Sequence, residues 1–223
     1  MTADAWHAVV FTIGIAALST LLTFPFGVGL AWLMARRNWR GKSVVETIVM
    51  LPLFIPPVAT GLILLLLFSR RGLIGSFLQR AFGIEIIFTW RAVLIASAVM
   101  SFPLLVRTAQ SAFEDVSGRF EDIARTLGAN EWRVFTSISF PLALRGVIAG
   151  TVLTFARAVG EFGATAIVAG MIPRKTMTIS LLIYQNIQLG HDRDALPLLG
   201  VSIALVFFAI LGSQLFAGRR RVL

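Results

Sequence analysis

The sequence contains no cysteine, which excludes disulfides, iron–sulfur clusters and thiolate chemistry. It has only two histidines, His7 and His191, far apart in the chain, so a histidine-based metal site within one chain is not expected. No GxxxxGK[ST] phosphate loop occurs, and the Gly41-Lys42 pair has Arg36 where the first glycine of such a loop would stand. GxSxG and HExxH are also missing. These absences leave no recognisable catalytic centre and no usual ATP cradle. Charge is scarce too: Asp, Glu, Lys and Arg make up 14 % of the chain, against roughly 25 % in soluble domains.

What fills the chain is apolar. Hydrophobic types reach 57 %, and the segments Ala5 to Ala35, Thr47 to Ser69 and Ala195 to Gly218 carry no Asp, Glu, Lys or Arg. Each exceeds the roughly 18 apolar residues that read as a transmembrane helix. A soluble chain of 223 residues could not bury three helices that are apolar all round. The first run lacks a basic segment before it and a small-residue cleavage site after it, so a retained span is expected rather than a signal peptide.

The expected fold is an all-α, polytopic transmembrane bundle forming a single domain over residues 1–223. Five spans are expected, at about 8–35, 44–68, 92–113, 142–169 and 196–217. The fourth is interrupted by Arg157 and Glu161. Pro25, Pro52, Pro56, Pro57 and Pro103 fall in apolar stretches, where each removes a backbone donor and kinks the helix.

The net charge of +9 is read as the excess of Lys and Arg that membrane proteins gather in cytoplasmic loops; no nucleic-acid partner is expected. With the N-terminus outside, cytoplasmic segments hold Arg36, Arg37, Arg40, Lys42, Arg107, Arg119, Arg125, Arg133, Arg145, Arg219, Arg220 and Arg221. The outer loops hold Arg70, Arg71, Arg80, Arg91, Arg174, Lys175 and Arg193. Twelve against seven favours a multi-pass inner-membrane protein with its N-terminus outside and its C-terminus in the cytoplasm.

The loop at about 114–145 carries the most information. Ser117 is placed to cap a helix, with Glu121 and Asp122 early in it and Arg125 late, as the helix dipole prefers. Phe120, Ile123, Ala124 and Leu127 form one apolar face, and Gly128 stands where a left-handed C-cap residue belongs. Asn130 is placed to cap a second short helix bearing Trp132 and Phe135, which Pro141 is expected to stop. An apolar helix pair on the cytoplasmic side fits docking into a groove on a partner. It fits equally an interfacial helix resting on lipid headgroups.

The spacing of this loop resembles that of ABC importer permeases, written EAA, three residues, G, nine residues, I, one residue, LP. Here the positions are Asp122, Ile123, Ala124, Gly128, Ile138, Phe140 and Pro141. Asp122, Ile123 and Phe140 depart from the pattern, conservatively in character. The resemblance implies a type I importer fold and a coupling loop, with Leu127 on its apolar face, that inserts into a separate ATP-binding subunit. The segments LPLFIPPVATG, FSRRGLIG, VMSFPLLVR and RAVGEFGAT (51–61, 68–75, 99–107 and 157–165) are similar to those of molybdate importer permeases. Sulfate and thiosulfate permeases are related and share the GEFGA-like stretch. The implied cargo is an oxyanion, molybdate or tungstate before sulfate. The implied partners are ATPase subunits, a second copy of the chain in a homodimer, an external oxyanion-binding protein and membrane lipid. ATP would be bound by the partner, with no cofactor or metal in this chain. A secondary transporter is disfavoured by the lack of an inverted repeat and of a chain of intramembrane acids. A non-transporting scaffold that recruits a cytosolic protein through the same loop is a more remote alternative.

Arg157 and Glu161 lie four residues apart and are expected on one helix face. Twelve residues separate Arg145 from Arg157, roughly 18 Å of helical rise, which puts the pair near mid-membrane. Two readings stand: they shape the anion path, or they form an internal ion pair that orders the bundle. Gly146 and Gly150 form a GxxxG, and Ala156, Gly160 and Ala164 continue at four-residue steps. These small residues mark a helix-packing surface, against another span or a second copy.

Overall fold

A computed structural model describes residues 3–218, with side chains to 214; Arg219, Arg220 and Arg221 lie outside the described residues. Among these the chain is all helix, with no strand. The helices are α1 (Ala3–Arg36), α2 (Lys42–Phe54), α3 (Pro57–Phe68), α4 (Leu73–Phe82), α5 (Trp90–Glu114), α6 (Gly118–Thr126) and α7 (Glu131–Val134). A π-helical segment (Phe135–Ser139) then leads into α8 (Phe140–Val159), followed by α9 (Gly163–Val168), α10 (Ile179–Gln188) and α11 (Asp192–Gly218).

Four helical stretches are long and apolar enough to cross a bilayer: α1, α5, the run from α7 through α8, and α11. The expected second span is not one helix. It is α2 and α3, bent by 113° at the break between them. The cause is local. Ile55 and Pro56 are extended, with ψ of 140° and 132°, as residues preceding a proline prefer, and Pro57 then starts α3 where its missing N–H costs nothing. The expected fourth span also differs. It ends at Val159 rather than continuing to Ala169, and α9 follows as a separate short helix.

Pro141 does not stop the helix that begins at Glu131. Helix continues through it to Val159. The five π-helical residues immediately before α8 absorb the missing donor, since a π-bulge re-registers the backbone around a site with no N–H.

The α1, α5 and α8 helices pack together along the centre of the bundle. Small side chains make the approach close: Ala8, Ala16, Ala31, Ala92, Ala96 and Ala109 are fully buried, as expected where helices associate by van der Waals contact. At one end, Met34, Val106, Phe113, Ala143 and Val147 form a core. At the other, Ile15, Leu64, Val93, Met100 and Val168 join α1, α3, α5 and α9. Hydroxyls inside α1 are satisfied within the helix: Thr12 donates to the Ala8 carbonyl at 2.7 Å and Thr20 to that of Ala16 at 2.7 Å. Large apolar side chains point outward instead, Leu21, Phe26, Phe54, Leu66 and Phe208 among them. That pattern suits a protein whose surroundings are lipid or another membrane subunit.

Candidate functional site

The loop between α5 and α8 is built from α6, α7 and the π segment. α6 ends in a Schellman arrangement. Gly128 has φ +83°, its N–H reaches the Arg125 carbonyl at 3.0 Å, and the N–H of Ala129 reaches the Ala124 carbonyl at 3.0 Å. A residue with a Cβ would resist that left-handed backbone. Asn130 caps α7, its side chain accepting from the Arg133 N–H at 2.8 Å. Ser117 occupies the N-cap position of α6 but makes no side-chain cap bond.

The two faces of α6 differ sharply. Phe120, Ile123 and Leu127 are exposed, Leu127 at 83 %. With Ala124, Ser137, Ile138, Pro141 and Leu142 they line an open apolar groove of about 430 Å³. The loop positions predicted from spacing are thus brought together: Ile123, Ala124, Leu127, Ile138 and Pro141 share one groove. Asp122 stands beside it, exposed and paired with Arg125 at 2.9 Å, and Gly128 turns the chain out of α6.

The opposite face holds Glu121, which is 1 % exposed. Its Oε1 accepts from Arg36 Nε at 2.8 Å and from Ser139 Oγ at 2.7 Å. Arg36 also donates to the Val116 carbonyl at 2.8 Å. Arg125 lies 3.6 Å from Glu121 Oε2 and pairs with Glu131 at 2.9 Å, and Arg37 reaches Glu131 at 3.6 Å. Hydrogen bonding to Glu131 raises the Arg125 guanidinium above its usual value, so it stays charged at any working pH. Sequence reasoning credited Glu121 only with a dipole role and Arg36 only with a loop charge. A partial signal existed: Arg125 follows Glu121 by four residues on the polar face, an i,i+4 pair of opposite charge.

The remaining predicted residues lie in the bundle. Gly146 and Gly150 face α5 of the same chain. A Cβ on Gly146 would overlap that of Ala112, and one on Gly150 would lie 3.1 Å from Thr108 Cβ. Gly160 sits at the C-cap of α8, where a Cβ would meet only its own backbone, at 3.9 Å; it packs against no other helix. Arg157 and Glu161 do meet, Nη1 to Oε2 at 2.8 Å, although the geometry there is that of an ion pair without an aligned hydrogen bond. They do not share one helix, because α8 ends between them. Glu161 is 2 % exposed, and its Oε1 accepts from the Ala164 N–H at 2.9 Å, closing the first turn of α9. α9 in turn lies tightly on α3. A Cβ on Gly163 would sit 2.7 Å from Pro57, and one on Gly61 2.8 Å from the Ala164 carbonyl. Among the described residues no cluster of three or more His, Asp or Glu is arranged to hold a metal.

Comparison with known proteins gives the family. Residues 27–220 match the model of the binding-protein-dependent transport system inner membrane component. The chain belongs to that family. The permease is 44 % identical over 218 residues to a molybdenum transport system permease protein of Escherichia coli, spanning 97 % of this chain and 95 % of that one. A counterpart in Haemophilus influenzae is 40 % identical, over 95 % and 93 % of the two chains. A sulfate transport system permease protein of Chlorokybus atmophyticus is 34 % identical, over 91 % and 71 %. Among solved structures, the MetNI methionine ABC transporter in an inward-facing conformation superimposes with a TM-score of 0.75 at 17 % identity, over 98 % of both chains. A bacterial alginate ABC transporter gives 0.73 at 19 %, over 97 % and 81 %. The fold is that of type I ABC importer permeases, and the chain is a multi-pass inner-membrane transport subunit.

Proposed function

We propose that the permease carries molybdate, or its close analogue tungstate, across the inner membrane as the spanning subunit of a binding-protein-dependent ABC importer. The observation that carries this reading is its similarity to molybdenum transport permeases along nearly the whole chain. Two copies pair to enclose the path. Two ATPase subunits bind and hydrolyse ATP on the cytoplasmic side, and an external protein captures the anion and delivers it. The chain itself holds no cofactor, and its N-terminus is outside and its C-terminus inside.

The groove lined by Phe120, Ile123, Ala124, Leu127, Ile138 and Pro141 is the ATPase docking surface in this reading. Exposed apolar area of that kind is costly in water and is stabilised when a partner covers it. ATP-driven closure of the two ATPase subunits moves α6, and the spans rock so that the cavity between the copies opens alternately outward and inward. Arg157 serves the fold rather than the anion. Its charge is met by Glu161 at 2.8 Å, and Glu161 in turn ties the start of α9. An arginine already paired has little left to offer a passing oxyanion.

The test is uptake of labelled molybdate by proteoliposomes holding the complete complex, with and without excess sulfate. Uptake that needs ATP and the binding protein, and that survives sulfate, is expected. Complete competition by sulfate at comparable concentration would move the assignment to sulfate, the cargo named for the more distant relative.

A further inference from the structure

One carboxylate joins three parts of the permease that are far apart in sequence. Glu121 Oε1 accepts from Arg36, in the last turn of α1, and from Ser139, the residue that ends the π segment and precedes α8. Arg36 binds the chain a second time at the Val116 carbonyl, just before α6. Glu121 is 1 % exposed, and side-chain exposure of Arg36 is 13 %. A buried carboxylate that loses one of its donors is left uncompensated, so such a junction resists opening. The other face of the same helix is bare and apolar. α6 therefore has an outer surface free to be gripped and an inner surface fixed to two spans at one point.

A junction this stiff decides how movement spreads. If α6 were held only by its loop, a push on its outer face would be absorbed by rotation about Ser117 and Gly128. Held by Glu121, it cannot move without carrying the ends of α1 and α8 along. The π segment contributes by register, because it is Ser139 that its bulge brings against Glu121. We propose that Glu121 is a positioning residue that makes α6, the end of α1 and the start of α8 move as one body, so that ATP hydrolysis in the partner is converted into rocking of the spans. This rests on the reading of α6 as the docking helix.

The absence of cysteine permits a clean measurement. Spin labels are placed on Asn38→Cys, just past α1, and Arg119→Cys, exposed on α6. Their distance distribution is recorded in the permease alone and in the complete complex, with Glu121 intact and as Glu121→Gln, which keeps the side-chain volume but loses the charge. In the permease alone a narrow distribution is expected with Glu121, and a broadened one with Glu121→Gln. Unchanged width in the variant overturns the proposal, whatever the transport assay shows. In the reconstituted complex, anion uptake is expected to fall severalfold in Glu121→Gln while ATP hydrolysis persists, so that more ATP is used per anion. Glu121→Asp, which keeps the charge, is expected to recover part of that ratio. A proportional fall of both activities would reduce Glu121 to a role in loop stability and overturn the proposal. Failure of the unmodified permease to bind any ATPase subunit would instead sink the docking reading, and the distances in the permease alone would still decide the junction.

Discussion

At Gly146 a single added methyl group has no room, since it would overlap Ala112 on α5. Gly146→Ala is expected to destabilise the permease by about 1–3 kcal/mol, the range for overpacked contacts. Gly150→Ala should cost less, because its nearest contact, Thr108 Cβ at 3.1 Å, is relieved by a backbone adjustment of a few tenths of an ångström. Gly160→Ala should be almost silent, with nothing closer than 3.9 Å. Thermal midpoints of the detergent-solubilised protein, ranked in that order, check the assignment; equal midpoints for all three would contradict it. Glu161 allows a second comparison. Glu161→Gln breaks the pair with Arg157 but keeps an acceptor for the Ala164 N–H. Glu161→Ala loses both, and the lost cap adds about 1 kcal/mol. The Ala variant is therefore expected to melt below the Gln variant. Reversing the two charges would be a poor probe of transport, because an arginine at 161 could not accept from Ala164.

At the scale of elements, α6 shows how a correct periodicity can leave the partner of a helix's polar face unread. The spacing of Phe120, Ile123, Ala124 and Leu127 identifies an amphipathic helix and its apolar face, and the helix is there. In a soluble domain that face would turn inward. Here it turns out, and the face with Glu121 and Arg125 turns in, because the end of α1 presents a guanidinium that needs a carboxylate. Eighty-five positions separate Arg36 from Glu121, so no local pattern could announce the pairing. Leu127→Asp places a charge in the apolar groove proposed to dock the ATPase, at a side chain that contributes little to the fold, being 83 % exposed. The variant is expected to insert and melt normally but to lose the ATPase subunit on co-purification. Retained co-purification would remove α6 from the docking surface. The breaks between α2 and α3 and between α8 and α9 belong together at this scale. Each span bends where the other approaches, with Gly61 and Gly163 allowing backbone contact that a Cβ would obstruct.

For the molecule as a whole, the topology is the quantity most open to direct measurement. The proposed orientation puts α4 outside and α6 inside. Single cysteines at Arg80→Cys and Arg119→Cys, in a chain that has none of its own, should react differently with an impermeant maleimide added to intact cells: the first labelled, the second only after the membrane is opened. The reverse pattern would invert the permease and place its docking loop where no ATP is available.

The sequence by itself determined membrane residence, the all-helical class and the position of the loop with an apolar helix face between the third and fourth spans. These follow from composition, from runs free of charge and from spacing within about twenty residues, and local interactions suffice to express all three. Its proline and glycine content marked where helices bend, yet it read 44–68 and 142–169 as continuous spans. The break at 55–57 is set locally by its prolines, but the one after Val159 depends on what packs into it: α9 against α3, and the Glu161 carboxylate against the Ala164 N–H. The tertiary structure alone decided that Gly146 and Gly150 meet α5, that Gly160 meets nothing, and that Glu121 is the buried centre of the loop. Those outcomes depend on contacts between residues distant in sequence, which form only when the spans have assembled and excluded solvent from between them.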